Sequence, residues 1–277
     1  MSVELILLLM SVVPFVTAGL VMMDPQDLAP DQDTQDDLPD PDPESDPAAE
    51  PDQTQATPPA GETLAGTEGD DVLRGGAGND TITGSGGLDL LDGGGGADTL
   101  AGGDGADSLE GGAGADSLSG GDGADVLDGG ADDDLLEGDT GADTLSGGDG
   151  ADTLEGGSGA DVLYGAGTGQ RDDAVDLLLG GSGNDQLILG VGDLGTGGGG
   201  ADAFQLEGSA TITDFDPLED MLVIRHDGGP APTIASQTLT AGGLQISFSD
   251  GTVATLDGLS AEVPADRIVA LDLATGG

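Results

Sequence analysis

Aspartate recurs at every ninth residue from Asp71 to Asp161, and an aliphatic residue stands two places after each one. The acids are Asp71, Asp80, Asp89, Asp98, Asp107, Asp116, Asp125, Asp134, Asp143, Asp152 and Asp161; the aliphatics run from Leu73 and Ile82 to Leu154 and Leu163. Most of the space between them is glycine, the costliest residue to order. A nine-residue period fits neither regular element. In an α-helix it makes two and a half turns, so successive leucines would face opposite sides. Along one strand the side-chain period is two, and an odd repeat alternates faces again. A solenoid gathers them. If each unit is a half-turn made of a tight glycine loop and a short strand, two units close a coil of eighteen residues. Such coils stack about 4.8 Å apart as parallel strands, with leucines from both sides in one thin core. Glycine supplies the left-handed backbone that abrupt loops demand.

Stacking creates an electrostatic conflict. Asp71, Asp89, Asp107, Asp125, Asp143 and Asp161 fall in one column, and Asp80, Asp98, Asp116, Asp134 and Asp152 in the other. Neighbouring carboxylates about 5 Å apart repel by roughly 0.8 kcal/mol even at the dielectric of water. A hard divalent cation between successive loops removes the conflict, taking oxygen from aspartates of neighbouring coils and from turn carbonyls. Calcium suits this better than magnesium, because it accepts six to eight oxygens in flexible geometry. Folding is then coupled to binding.

The charge balance agrees. The chain has 55 acids against 4 bases and a formal net charge of -51, which favours cations and excludes nucleic acid as a partner, since phosphate binding needs lysine and arginine. No cysteine is present, which excludes disulfides and thiolate zinc sites. Catalytic inventory is absent too: there is no H-E-x-x-H and no G-x-S-x-G, and the only histidine, His226, is expected in a surface turn.

The units GGAGNDTIT (Gly75 to Thr83), GGGGADTLA (Gly93 to Ala101), GGDGADSLE (Gly102 to Glu110) and GGSGADVLY (Gly156 to Tyr164) resemble the G-G-x-G-x-D-x-U-x nonapeptide of the repeats-in-toxin (RTX), or haemolysin-type, calcium-binding family. The resemblance covers about half the chain. It implies a parallel β-roll holding multiple Ca²⁺ ions, export from the cell, and folding only in external calcium. Carried over position by position, the eleven aspartates named above occupy the family's ligand position. Asp176, Asp185 and Asp202 continue it in DLLL, GGSGNDQLI and GGGGADAFQ. Thr67, Ser85 and Asp139 replace the second glycine, a mild departure, whereas Asp132 replaces the fourth and predicts a strained or weak loop. The longer spacings from Asp161 to Asp176 and from Asp185 to Asp202 predict irregular loops, the first near Gly167 to Asp173. ITDFDPLEDMLVI (Ile212 to Ile224) is similar to the stretch following the last repeat in secreted members, with Asp216 and Asp220 expected as solvated turn residues.

The expected architecture is all-β: a parallel β-roll, or β-solenoid, with a small C-terminal β cap, an N-terminal hydrophobic helix and a disordered acidic linker. Residues 1–23 carry no charge from Leu5 to Met23 and read as a membrane anchor or a signal peptide. Residues 24–63 form a Pro/Asp-rich linker, 64–206 the roll and 207–277 the cap, with a hairpin at Asp250-Gly251. The outward position after each aspartate is mixed (Val72, Thr81, Leu90, Thr99, Ser108, Ser117), which argues against a flat lattice-binding surface. The expected function is calcium binding that yields a folded extracellular or cell-surface rod, without enzymatic activity. The alternative is a secreted hydrolase or other enzyme that uses the repeats as its export and folding module.

Overall fold

A computed structural model describes residues 61–166, 174–226 and 230–272. The hydrophobic segment, nearly all of the acidic linker and the loop near Gly167 to Asp173 therefore lie outside the described residues. Among the described residues no helix is long and apolar enough to cross a membrane.

The chain winds into an all-β parallel solenoid of about nine turns. Alternate half-turns feed opposite faces: one sheet of twelve strands begins with Thr63–Ala65, Thr81–Gly87 and Thr99–Gly105, and one of ten begins with Val72–Ala77, Leu90–Gly95 and Ser108–Ala113. Strands stack in register eighteen residues apart, so Leu73 faces Leu91, Leu91 faces Leu109, Ile82 faces Leu100 and Leu100 faces Leu118. These side chains are fully buried from Ile82 onward and fill the single thin core. From Val72 to Gly159 the strands are six or seven residues long and run on through the glycines, because neighbouring loops also hydrogen-bond to their copies in the next turn.

Alternate units present the outward residues on two different faces. In register, the twelve-stranded sheet presents Thr63, Thr81, Thr99, Ser117, Leu135 and Thr153. The other presents Val72, Leu90, Ser108, Val126 and Thr144. The twelve-stranded face is the more uniform, with Leu135 interrupting its threonine row, and the other face stays mixed.

Two turns lengthen and two shorten. Leu154 pairs with Leu178 across a turn of 24 residues, the standard eighteen plus six, and both columns absorb that insertion together. The stretch from Asp185 to Asp202 is no irregular loop. It contains a compact half-turn whose strand, Leu194–Gly199, stacks on Leu177–Gly183. Parallel stacking continues past Leu206: Ala210–Ile212 and Met221–His226 add to the two sheets, followed by Val253–Asp257 and Ile268–Asp272. His226 thus ends a strand rather than occupying a turn. Only Ile234–Leu239 and Gly243–Phe248 are antiparallel, closing one end of the twelve-stranded sheet. The expected hairpin turn lies at Asp250-Gly251, where the Thr252 amide donates to Asp250 Oδ1 at 2.9 Å. Near this end aromatic side chains enter the core, Phe204 meeting Phe215 with ring centroids 5.9 Å apart.

Stack spacing leaves no room for a Cβ at Gly105. Gly105 has φ +147°, and a Cβ there would overlap the Gly87 carbonyl oxygen of the previous turn. Gly199, in the last glycine loop, has open space around its Cα. Gly105→Ala is therefore expected to lower the stability of the calcium-loaded protein by ~2 kcal/mol or more. Gly199→Ala should stay within about 0.5 kcal/mol, with thermal unfolding of both variants as the measurement.

Candidate metal centre

Each loop delivers its aspartate to the inner edge of the stack, where the side chain is at most 4% exposed from Asp80 to Asp202. The structure brings the predicted residues together in two ladders. In one, the backbone N–H of Asp71 donates to Asp89 Oδ1, that of Asp89 to Asp107, and so on through Asp125, Asp143, Asp161, Asp185 and Asp202 to Asp220. The other runs from Asp80 through Asp98, Asp116, Asp134, Asp152 and Asp176 to Asp193. All these bonds measure 2.7 to 3.1 Å. Each aspartate also accepts on its own carbonyl from the turn above, as Leu90 N–H does to Asp71 at 2.9 Å.

The two carboxylate oxygens have different fates. Oδ1 is hydrogen-bonded, whereas Oδ2 of Asp80, Asp89, Asp98, Asp107, Asp116, Asp125, Asp134, Asp143, Asp161 and Asp185 is buried and accepts no hydrogen bond. Native proteins rarely leave buried polar atoms this way, and a run of them marks a position for an ion. The first glycine of each loop shows where these oxygens point. A Cβ on Gly93 would stand 2.5 Å from Asp98 Oδ2 and 2.8 Å from the Gly111 carbonyl oxygen, so a carboxylate of one turn and a carbonyl of the next converge on the same small space. Among the described residues no three acidic, histidine or cysteine side chains gather closely enough to hold a metal by themselves. The donor set is carboxylate plus backbone carbonyl. That combination fits a hard, large cation such as Ca²⁺.

At three ends of the ladders, Asp71, Asp193 and Asp220, the second oxygen is taken by the chain, whereas Asp80 Oδ2 accepts no hydrogen bond. Asp71 Oδ2 accepts from the Thr67 amide at 2.6 Å and the Thr67 hydroxyl at 3.0 Å. Asp220 Oδ2 accepts from Asp216 N–H at 2.7 Å, and Asp193 Oδ2 from Gly190 N–H at 2.5 Å. Asp220 is 3% exposed and continues the first ladder, which corrects its reading as a solvated turn residue. Asp193 was missed because it follows Asp185 by eight residues rather than nine; the aliphatic Leu194 directly behind it, in register with Leu177, was the available signal.

Burial and neighbouring charge act together on the ladder. Burial, and secondarily the charges of the aspartates above and below, push the carboxyls of Asp134 and Asp143 up to about 7, against a backbone N–H bond that lowers them. Asp116 and Asp185 rise to about 6 for the same reasons. The loop residues that replace glycine are strained as well: Asp132 has φ +77°, as expected, and Ser85 and Asp139 are also forced left-handed at +91° and +68°.

Residues 65–100, 101–136, 137–167 and 172–193 match the RTX calcium-binding nonapeptide repeat in four copies. The array is made of RTX repeats. Repeats of this type bind multiple calcium ions. Among solved structures, the chain resembles the extracellular lipase LipA from Serratia marcescens, at 21% identity over 78% of this chain and 41% of the lipase, with a TM-score of 0.22. It also resembles the AlgE6R3 subunit of the Azotobacter vinelandii mannuronan C5-epimerase, at 22% identity over 53% of this chain and 80% of that one, with a TM-score of 0.19. The chain thus spans about two fifths of the lipase's length. No curated protein matches it.

The raised carboxyls set a pH dependence in the absence of metal. A group whose value rises from 3.8 to about 7 on folding stabilises the fold fully below 3.8, and that contribution is lost as pH climbs through about 7. In chelator, β-structure of the RTX array should therefore grow as pH falls from 8 toward 4, as read by circular dichroism. Saturating calcium should flatten this dependence above pH 7.

Proposed function

We propose that the protein is a non-enzymatic, calcium-dependent extracellular scaffold, in which Asp80, Asp89, Asp98, Asp107, Asp116, Asp125, Asp134, Asp143, Asp152, Asp161, Asp176, Asp185 and Asp202 supply carboxylate ligands. The observation that carries this reading is the run of buried Oδ2 atoms facing carbonyls of the adjoining turn. Asp71 joins the ladder through its amide, with its second oxygen closed by Thr67; its role is to terminate the column. Calcium at each interior step supplies the positive charge that lets the ladder close. The chain's own contribution is to hold the carboxylates by Oδ1, bury them, and present loop carbonyls beside Oδ2.

External calcium is millimolar, so affinities in the extracellular range of about 10⁻⁴ to 10⁻³ M would keep the chain an unfolded polyanion inside the cell and a rod outside it. The lack of a catalytic dyad or nucleophile motif supports a structural role over hydrolysis.

Equilibrium dialysis tests the ligand assignment. Asp107→Ala combined with Asp125→Ala should lower the number of calcium ions held at saturation, and an unchanged number would refute it. Circular dichroism of the wild-type chain should gain β signal with calcium and not with magnesium.

A further inference from the structure

The outward side of the ten-stranded sheet carries two unlike rows next to each other. One is largely apolar: Val72, Leu90 and Val126 stand in register, with Ser108 between the last two, and the three aliphatics are 42%, 42% and 51% exposed. A single exposed aliphatic is ordinary, but three aligned on one flat sheet make a strip broken only by Ser108. Two residues further along each strand, and so on the same side, Asp92, Glu110 and Asp128 form a second row in the same register. Arg74 begins that row and lies 3.7 Å from Asp92, whereas Glu110 and Asp128 form no ion pair among the described residues. Past Val126 this side of the sheet is increasingly covered, Ser146 being 8% exposed and Ile188 6%.

Spacing decides which shape fits. The rows climb the solenoid in steps of about 4.8 Å, so Val72 to Val126 spans about 14 Å. An extended partner laid along the rows repeats its side chains on one face every ~6.7 Å and is out of step by the second strand. A helix repeats every ~5.4 Å and drifts by only about 2 Å over the whole strip. Apolar residues at i, i+3, i+4 and i+7 of such a helix cover the aliphatic row, and lysine or arginine beside them reaches the acids. This chain has no such helix to offer. With four arginines and no lysine, neither its stretch from Leu5 to Met23, which carries no charge, nor a second copy brings a positive stripe.

We infer that the outward side of Val72–Ala77, Leu90–Gly95, Ser108–Ala113 and Val126–Ala131 is a docking surface for a cationic amphipathic helix of another protein, laid across the strands along the solenoid axis. Both rows exist only once the coils are stacked, so docking follows calcium. That consequence alone rests on the scaffold function proposed above.

The probe is a labelled peptide of leucine, alanine and lysine, about 14 residues long, with one apolar stripe flanked by lysines. Its control has the same composition arranged with period two. By fluorescence anisotropy with the full chain in saturating calcium, the striped peptide should bind at least about tenfold more tightly than the control and gain helical circular dichroism. Val72→Thr, Leu90→Thr and Val126→Thr together keep strand propensity while removing apolar surface, and should weaken binding about tenfold. Asp92→Asn, Glu110→Gln and Asp128→Asn together should weaken it about three- to tenfold. Asp104→Asn, Glu137→Gln and Glu155→Gln remove as many exposed charges from the twelve-stranded side and should leave binding within about twofold. Equal binding of the two peptides, unchanged binding by either row variant, or an equal loss in the twelve-stranded variant would overturn the inference. Self-association of the calcium-loaded chain in sedimentation, lost in the threonine variant, would put a second copy on the rows and overturn it as well. Where β-structure is already complete in chelator the scaffold reading fails, and the striped peptide should then bind without calcium and with the same dependence on both rows.

Discussion

Everything in this fold depends on how a buried carboxylate divides its two oxygens. Oδ1 is taken by the amide of the aspartate one turn below, a charge-assisted hydrogen bond that sets the register of every coil on the last. Oδ2 is left facing a carbonyl of the neighbouring turn, acceptor against acceptor. The hydrogen bond builds the ladder and simultaneously lines up charges of one sign along it. Stacking and repulsion are therefore produced by the same residue, and only a positive charge placed between turns reconciles them.

The ends of the ladders show what a satisfied rung looks like. At Asp71, Asp193 and Asp220 the second oxygen finds an amide or hydroxyl from a residue three or four places away in its own loop. Such local closure needs the loop to fold back toward the carboxylate, as the Thr67 and Asp216 turns do. The glycine loops of the interior cannot do this, because their backbones are committed to the copies above and below. Rungs such as Asp107 and Asp125 thus stay open toward a cation, whereas Asp71, Asp193 and Asp220 are sealed by the protein.

What was legible in the sequence followed from constancy of spacing. The core leucines, the two columns and the parallel stacking all come from one period, and the regular stretch Asp71 to Asp161 behaves as that period predicts. Asp176, Asp185 and Asp202 also join the ladders; their columns were not legible in the spacing and follow from a six-residue insertion that shifts both columns equally. The pattern failed at Asp193, where the step contracts by one residue, and at Asp220, which keeps the eighteen-residue step but follows a loop that has no glycine. Reading units in chain order also concealed the two outward faces, because adjacent units in sequence lie on opposite sheets. Strain at Asp132 was foreseen from its position, whereas at Ser85 and Asp139 the depth of the left-handed requirement became visible only with the neighbouring turns in place.

Protons and cations can both neutralise these ladders, but they do not do equivalent work. A proton on Oδ2 removes one charge and creates one donor, able to reach a single acceptor such as the facing carbonyl. A hard cation draws on several oxygens at once, so the carboxylate of one turn and the carbonyls of the next would be able to hold it together. Acid can therefore lift the repulsion without fastening the coils beyond one bond per rung, whereas calcium lifts it and ties successive turns across each step. A side chain at the first loop position, as at Gly93, would fill the space where a carboxylate of one turn and a carbonyl of the next converge, and would leave no room for an ion there.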